Sequence, residues 1–285
     1  MAKIVLSADT GVITRDDVIE IIPLTIMDAD TGAQYQDQTQ ISVEEVFGLR
    51  GQGHRITTSC MNIHEAKVFF ENLLQQHEHI VHLSMSSKVS RGSYETSRIA
   101  AQELAPDRIT VIDTKTGSSG GLLVAQKARK ALQASPTVKE LTDYITKSLV
   151  SRSKTAIVVP DPSGYKRSGK GMINGIVNLA LGALSSARGL PLVKLNESGA
   201  MLPYKLLRYS NMDQLYVDLF HSQYIAEEAA DNEIAVSYLM PQMSRVDALT
   251  ALLAERGLCT YIGQMSGVIG SYACQDTVGI SYLLK

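Results

Sequence analysis

The chain has no tryptophan and only four phenylalanines, so any core must be built chiefly from aliphatic side chains. Its three cysteines, Cys60, Cys259 and Cys274, are too few and too scattered for a disulfide framework, which points to a reducing compartment. A dominant charge is lacking too: 27 basic and 29 acidic residues leave a formal net charge of −2. That removes any global attraction for nucleic acid or an anionic membrane surface. No apolar run approaches the roughly 18 uncharged residues of a membrane-spanning helix. Met1, Ala2 and Lys3 lead into an apolar stretch too brief for a signal peptide. The expected location is the cytoplasm. No internal repeat or low-complexity tract is present.

What is there is an ordinary globular mixture, 45% hydrophobic and 20% charged, in a chain of 285 residues long enough for two cores. The ten methionines suit a core of adaptable aliphatic chains. In the first half strand and helix patterns alternate. Apolar or β-branched runs at Ile4 to Leu6, Ile80 to Met85 and Arg108 to Asp113 predict strands. Between them, helices are expected after Ser42 with Glu45, after Asn62, near Ser97 to Leu104, over Leu122 to Leu132, and after Thr137 with Glu140. Such alternation implies βαβ units and a mostly parallel sheet.

The second half changes character. Strands are expected at Thr155 to Val159, Leu190 to Lys194, Met201 to Leu207, Glu233 to Tyr238, Cys259 to Gln264 and Val278 to Leu283. Helices are expected over Gly175 to Ser186, Met212 to Asp231 and Ser244 to Arg256, the last closed by Gly257. The predicted architecture is an N-terminal α/β domain, residues 1–150, followed by an α+β domain with an antiparallel sheet, residues 151–285.

Three hydroxyl-rich segments stand out: Thr57-Thr58-Ser59-Cys60, Ser84 to Tyr94, and Asp113 to Gly121. Each precedes a predicted helix, and the last two follow predicted strands. Loops at the carboxyl ends of parallel strands are where open α/β sheets bind ligands. Hydroxyls and helix N–H groups there can hold an anion without a cation. Helix capping explains any one of these loops, though not all three converging on one sheet edge.

The order of motifs resembles the DegV family of fatty-acid-binding proteins. Ile22-Pro23-Leu24, Tyr35 and Asp37, Thr58-Ser59, the Ser86-Ser87 to Tyr94 loop, and Val111-Ile112-Asp113-Thr114-Lys115 occur in that family's sequence order. Gly121 to Val124, Asp161 with Lys166, Arg167 and Gly169, Pro203 with Arg208, Ile269-Gly270 and Gly279-Ile280 continue the match. The resemblance implies a bacterial carrier without catalytic residues or cofactor, which buries a long-chain fatty acid and presents its carboxylate to a separate kinase subunit. It also implies that Thr58, Ser59, Ser90, Gly92 and Ser93 hold the carboxylate. Tyr272 stands where the family has a histidine, Arg208 matches a family arginine implicated in docking the partner, and Lys205 is a second docking candidate. Three departures sit at the head-group end, one of them the replacement of the family's glycine-proline-glycine around Cys274-Gln275-Asp276. The loop Ser90-Arg91-Gly92-Ser93-Tyr94 is one residue longer than the family's Ser-Gly-Thr-Tyr, and a phenol at 272 donates a hydrogen bond but cannot become cationic near neutral pH. Another amphipathic acid is therefore an alternative ligand.

Three sharper readings compete. Gly164 to Lys170 has the spacing of a phosphate-binding P-loop, yet Gly171 replaces the metal-binding Ser or Thr and two prolines separate it from the preceding strand. His77, His79 and His82 suggest zinc, yet they span a helix end and a strand start and so share no face. A small phosphotransfer or hydrolytic enzyme using the hydroxyl loops is the third; Ser90 with His64 or His82 and Asp113 would be its triad, but no Gly-x-Ser-x-Gly elbow is present.

Overall fold

Apolar residues at both odd and even positions of Ile4–Asp9 (β1) bury both faces of this strand, as a strand covered on two sides requires. The computed structural model describes residues 4–158, 190–207, 229–239 and 243–285. In it β1 lies between Glu20–Ile22 (β2) and His79–Ser84 (β6), with Ile109–Asp113 (β7) beyond, in an all-parallel sheet of order β2-β1-β6-β7. The strand order reverses about β1, since β2 is added on one side of it and β6 on the other. The carboxyl ends of β1 and β6 thus flank a topological switch point, the crevice where such sheets take ligands.

A small antiparallel sheet, order β4-β3-β5, is formed by Thr25–Asp28 (β3), Gln34–Gln36 (β4) and Ile56–Ser59 (β5). It was not anticipated, because strands of three or four residues are too short for alternation to show. It also corrects the reading of Thr57-Thr58-Ser59 as a loop: these residues are strand, paired to β3.

From Ser153 onward the strands belong to one six-stranded sheet of order β10-β9-β8-β13-β11-β12. Its members are Ser153–Val158 (β8), Leu190–Leu195 (β9), Met201–Leu207 (β10), Glu233–Tyr238 (β11), Cys259–Gln264 (β12) and Val278–Leu283 (β13). All neighbours are antiparallel except β11 and β12, which run parallel. That pair is joined through the helix Met243–Glu255 (α6), and a crossover helix is what a parallel connection needs.

The helices are Val43–Gly51 (α1), Ile63–Leu74 (α2), Arg91–Leu104 (α3), Ser119–Leu132 (α4), Val138–Asp143 (α5), Met243–Glu255 (α6) and the short Gly267–Gly270 (α7). Reciprocal capping boxes open α1 at Ser42, α2 at Asn62 and α5 at Thr137. Helix α5 runs on into a π-helical segment, Tyr144–Val150. Helix α3 begins six residues before the expected Ser97 because its first turn is the polar Ser-Arg-Gly-Ser segment, which carries no apolar periodicity. The expected helix over 175–186 lies outside the described residues, as does most of that over 212–231. Ala229 of the latter is not helical but bridges to Leu284.

Helix α4 is buried along most of its length, packing on β1 on one side and on β8, β11, β12 and β13 on another. The first-half core accordingly runs on into Ala235, Val268 and Leu283. A separate cluster between the six-stranded sheet and α6 includes Ile234, Val236, Leu249, Leu253 and Ile280.

Candidate functional site

At the switch point the carboxylate of Asp9 is fully buried and accepts from Gly11 N–H, Ser84 Oγ–H and Met85 N–H, each at 3.0 Å. Burial outweighs those bonds and pushes its pKa up to about 6. Asp9 thereby fixes the start of the 84–94 loop. Further along, Ser86 Oγ donates to the Gly199 carbonyl at 2.7 Å and Ser87 Oγ to the Asp113 carboxylate at 2.5 Å. The remaining two serines of the expected site bond to each other: Ser90 Oγ and the fully buried Ser93 Oγ are 2.7 Å apart. A hydroxyl pair consumes one proton internally. Ser90 precedes α3 without capping it through its side chain.

Thr58 Oγ1 lies 2.5 Å from the phenol of Tyr272, a residue only 4% exposed. Burial pushes the phenol's pKa up, against a smaller opposing effect of Thr58, so the group stays a proton donor through the neutral range. Strand alternation turns Ser59 the other way: it is exposed, and its hydroxyl donates to the Cys60 carbonyl at 3.1 Å. Cys60 sits against Gly92, where a Cβ would come within 2.7 Å of its sulfur. The β5 end and the α3 start therefore meet at Cys60 and Gly92; Thr58, bonded to Tyr272, lies on the one and the Ser90–Ser93 pair at the other, while the Ser59 side chain is exposed.

The third hydroxyl segment does something else. Thr116, Thr155 of β8, Ser281 of β13 and Ser119 form a buried chain of hydroxyls, with successive separations of 3.0, 2.8 and 2.8 Å. Ser118, held at a left-handed φ of 54°, bonds Ser237 of β11 at 2.5 Å. These groups join the loop to the six-stranded sheet in a seam, and Thr116, Gly117 and Ser118 of the same segment also line the apolar cavity between loop and sheet. Gly120 is required there, since a Cβ would lie 1.8 Å from Thr116 Oγ1 and 2.2 Å from Thr155 Oγ1.

Between loop and sheet lies a largely apolar cavity enclosing about 490 Å³ of empty space, its open mouth included. Met85, Val89, Ile157, Leu195, Met201 and Ile269 supply most of its wall, and Tyr272 lines it too. Val89 immediately precedes Ser90, so the hydroxyl group and the apolar wall are continuous.

Helix α7, which carries Ile269 and leads into Tyr272, is anchored by Asp37. That carboxylate, 0% exposed, accepts from Gly267 N–H at 2.9 Å and Val268 N–H at 3.4 Å. Asp9, Asp37 in this role, Val89 and Met201 were not singled out as site residues from sequence. The only signal was Asp37's place among the family motifs.

A family model described as "Uncharacterised protein, DegV family" matches residues 9–285. The chain belongs to the DegV family. A DegV domain-containing protein of Caldanaerobacter subterraneus is 24% identical over 294 residues, with 99% of each chain covered. A solved structure of a DegV family protein from Thermus thermophilus, described by its fatty acid binding, is 23% identical. It superposes with a TM-score of 0.83 over 99% of this chain and 100% of its own. The Fatty Acid Kinase (Fak) B3 protein of Streptococcus pneumoniae, solved loaded with linoleic acid, is 16% identical, with a TM-score of 0.80 over 99% and 100%. At these identities the solved structures establish a shared fold.

Of the two residues expected to dock a partner, Lys205 lies on β10 beside a register shift between Pro203 and Lys205. Arg208 lies outside the described residues, as do Asp161, Lys166, Arg167, Gly169 and the P-loop-like segment 164–170. The histidine run is not gathered on a metal: His82 is fully buried between Ser7 Oγ at 3.0 Å and Ser97 Oγ at 3.3 Å. Among the described residues no three His, Cys, Asp or Glu side chains are placed to hold a metal ion, and no helix is long and apolar enough to cross a membrane. The imagined triad is not assembled either, since Ser90 bonds Ser93, His64 is exposed on α2 and Asp113 accepts from Ser87.

Proposed function

We propose that this chain is a carrier rather than an enzyme, binding one long-chain fatty acid by its carboxylate and presenting it to a partner kinase subunit. The observation that carries this is the buried Tyr272 phenol, bonded to Thr58, at the wall of a largely apolar cavity. Burying each methylene contributes about 0.8 kcal/mol, so an apolar cavity binds an alkyl chain with few polar contacts. The carboxylate then needs several donors, because an unpaired buried charge is costly. Tyr272, Thr58, Ser90, Ser93 and the backbone at Gly92 are those donors in this reading. Ser59 drops to a backbone role, its hydroxyl being turned away. The solved relatives described as binding fatty acids give the reading its ligand class. A hydrolytic or phosphotransfer role finds no base bonded to Ser90 or Ser93 among the described residues, whose hydroxyls bond each other, and an acid of another class is the remaining alternative.

The test is native mass spectrometry of the purified chain, then denaturation and organic extraction. A stoichiometric long-chain acid is the expected result; an empty protein that also refuses added acid would remove the reading. Tyr272→Phe should lower affinity by roughly tenfold or more, the usual worth of a hydrogen bond to a charged group. Because the phenol remains protonated, affinity should stay flat from about pH 6 to 9, whereas Tyr272→His should make binding tighten as pH falls through the imidazole range.

Kinase presentation is tested separately. Arg208→Ala and Lys205→Ala should keep bound acid at wild-type stoichiometry yet lose stimulation of a cognate fatty-acid kinase. Undiminished stimulation would exclude these two as docking residues.

A further inference from the structure

A second cavity lies back to back with the apolar one, enclosing about 430 Å³ of empty space with its mouth included. Its wall includes the buried apolar residues Val12, Leu122 and Met265 and the more accessible Thr14, Arg15 and Gln264. The two cavities share two wall residues, Ser118 and Ile269. Backbone completes the partition: Ser118 N–H donates to the Gly11 carbonyl at 3.1 Å, and a Cβ on Gly11 would lie 2.5 Å from the Met85 sulfur. Gly11 faces the second cavity and Met85 the first.

Ser118 is a fixed part of this wall, pinned by its bond to Ser237 and by its own backbone. Ile269 is different. It is half-buried, purely aliphatic, and stands on α7 one turn before Tyr272. We propose that Ile269 determines ligand length and shape by closing the second cavity to the acyl chain and directing it along Ile157, Leu195 and Met201. The inference rests on the carrier reading and assigns its specificity. Shortening Ile269 joins the cavities through side-chain space alone, and the buried apolar residues beyond then receive methylenes that the wild type excludes. Each further buried methylene is worth about a fourfold gain in affinity.

Lipid-free protein is offered an equimolar mixture of saturated acids of about 12 to 20 carbons, and bound acids are extracted and weighed by mass. For Ile269→Ala the bound distribution should move at least two carbons longer than wild type, about a fifteenfold change in the ratio of the two lengths. Ile269→Val should move it less in the same direction, and Ile269→Phe should move it shorter. Ile269→Val removes a single methyl group and so keeps the test alive if the larger changes unfold the chain. Identical distributions in wild type and folded variants overturn the assignment while leaving the carrier reading intact. A wild type that binds none of the acids overturns both.

Discussion

Two strands of the parallel sheet carry an ionisable side chain with no access to water, Asp9 on β1 and His82 on β6. Burial depresses the His82 pKa to about 3, so the imidazole stays neutral between its two serines. The unfolded chain takes up that proton near pH 6.5, and the folded chain does so only near 3. Stability from His82 is therefore complete above about pH 6.5 and is lost as pH falls through that window. Asp9 acts in the opposite sense: with its pKa raised to about 6, its burial costs nothing below the ordinary carboxylate range and progressively more as pH rises to 6. Replacing His82 by Gln should reduce the loss of stability between pH 6.5 and 5 by on the order of 2 kcal/mol, measured by urea denaturation. A proton-resonance titration of the wild type should find one imidazole that does not titrate above about pH 4; if every histidine titrates near 6.5, the account of His82 is wrong. Neither role was legible in the sequence. His82 stood out only as one third of a metal-like run, and an aspartate ending an apolar strand looks like any strand terminus.

Helix α7 shows how an element of four residues escapes sequence reading yet positions the site. It is too short for a periodic pattern, while longer neighbours announced themselves: Ser42 with Glu45 and Thr137 with Glu140 marked α1 and α5, and Gly257, at a left-handed φ of 73°, closes α6 where expected. Strands β10 to β13 were legible to their ends, because six or seven residues rich in aliphatic, aromatic and β-branched side chains carry a signal that three or four do not. What α7 depends on is a distant partner. Asp37→Ala removes the acceptor for two of its N–H groups and leaves them buried, at a cost of about 1–3 kcal/mol. The expected outcome is a lower denaturation midpoint together with faster loss of bound acid, since Ile269 and Tyr272 both move with this helix. An unchanged release rate in a destabilised variant would separate the helix from the site.

The whole molecule is organised around α4, which both sheets cover. A division at residues 150–154 into domains 1–150 and 151–285 is a proposal about architecture; the packing joins the two halves through one shared core. Sequence placed the 84–94 and 113–121 hydroxyl segments after strands, because strand-to-helix placement follows from local pattern, and missed that 57–59 is itself strand. It could not separate binding hydroxyls from seam hydroxyls, because that distinction depends on which strand of a second sheet lies opposite. The seam has a mechanical consequence. Its chain from Thr116 through Thr155 and Ser281 to Ser119 is dry, so sliding one sheet over the other would strand several hydroxyls without partners, each at about 1–3 kcal/mol. The apolar cavity has Met85 on one side of that seam and Ile157 with Leu195 on the other. Its jaws are thus clamped at a fixed gap, and a carrier built this way would gauge its cargo as a locked caliper does, by refusing to widen.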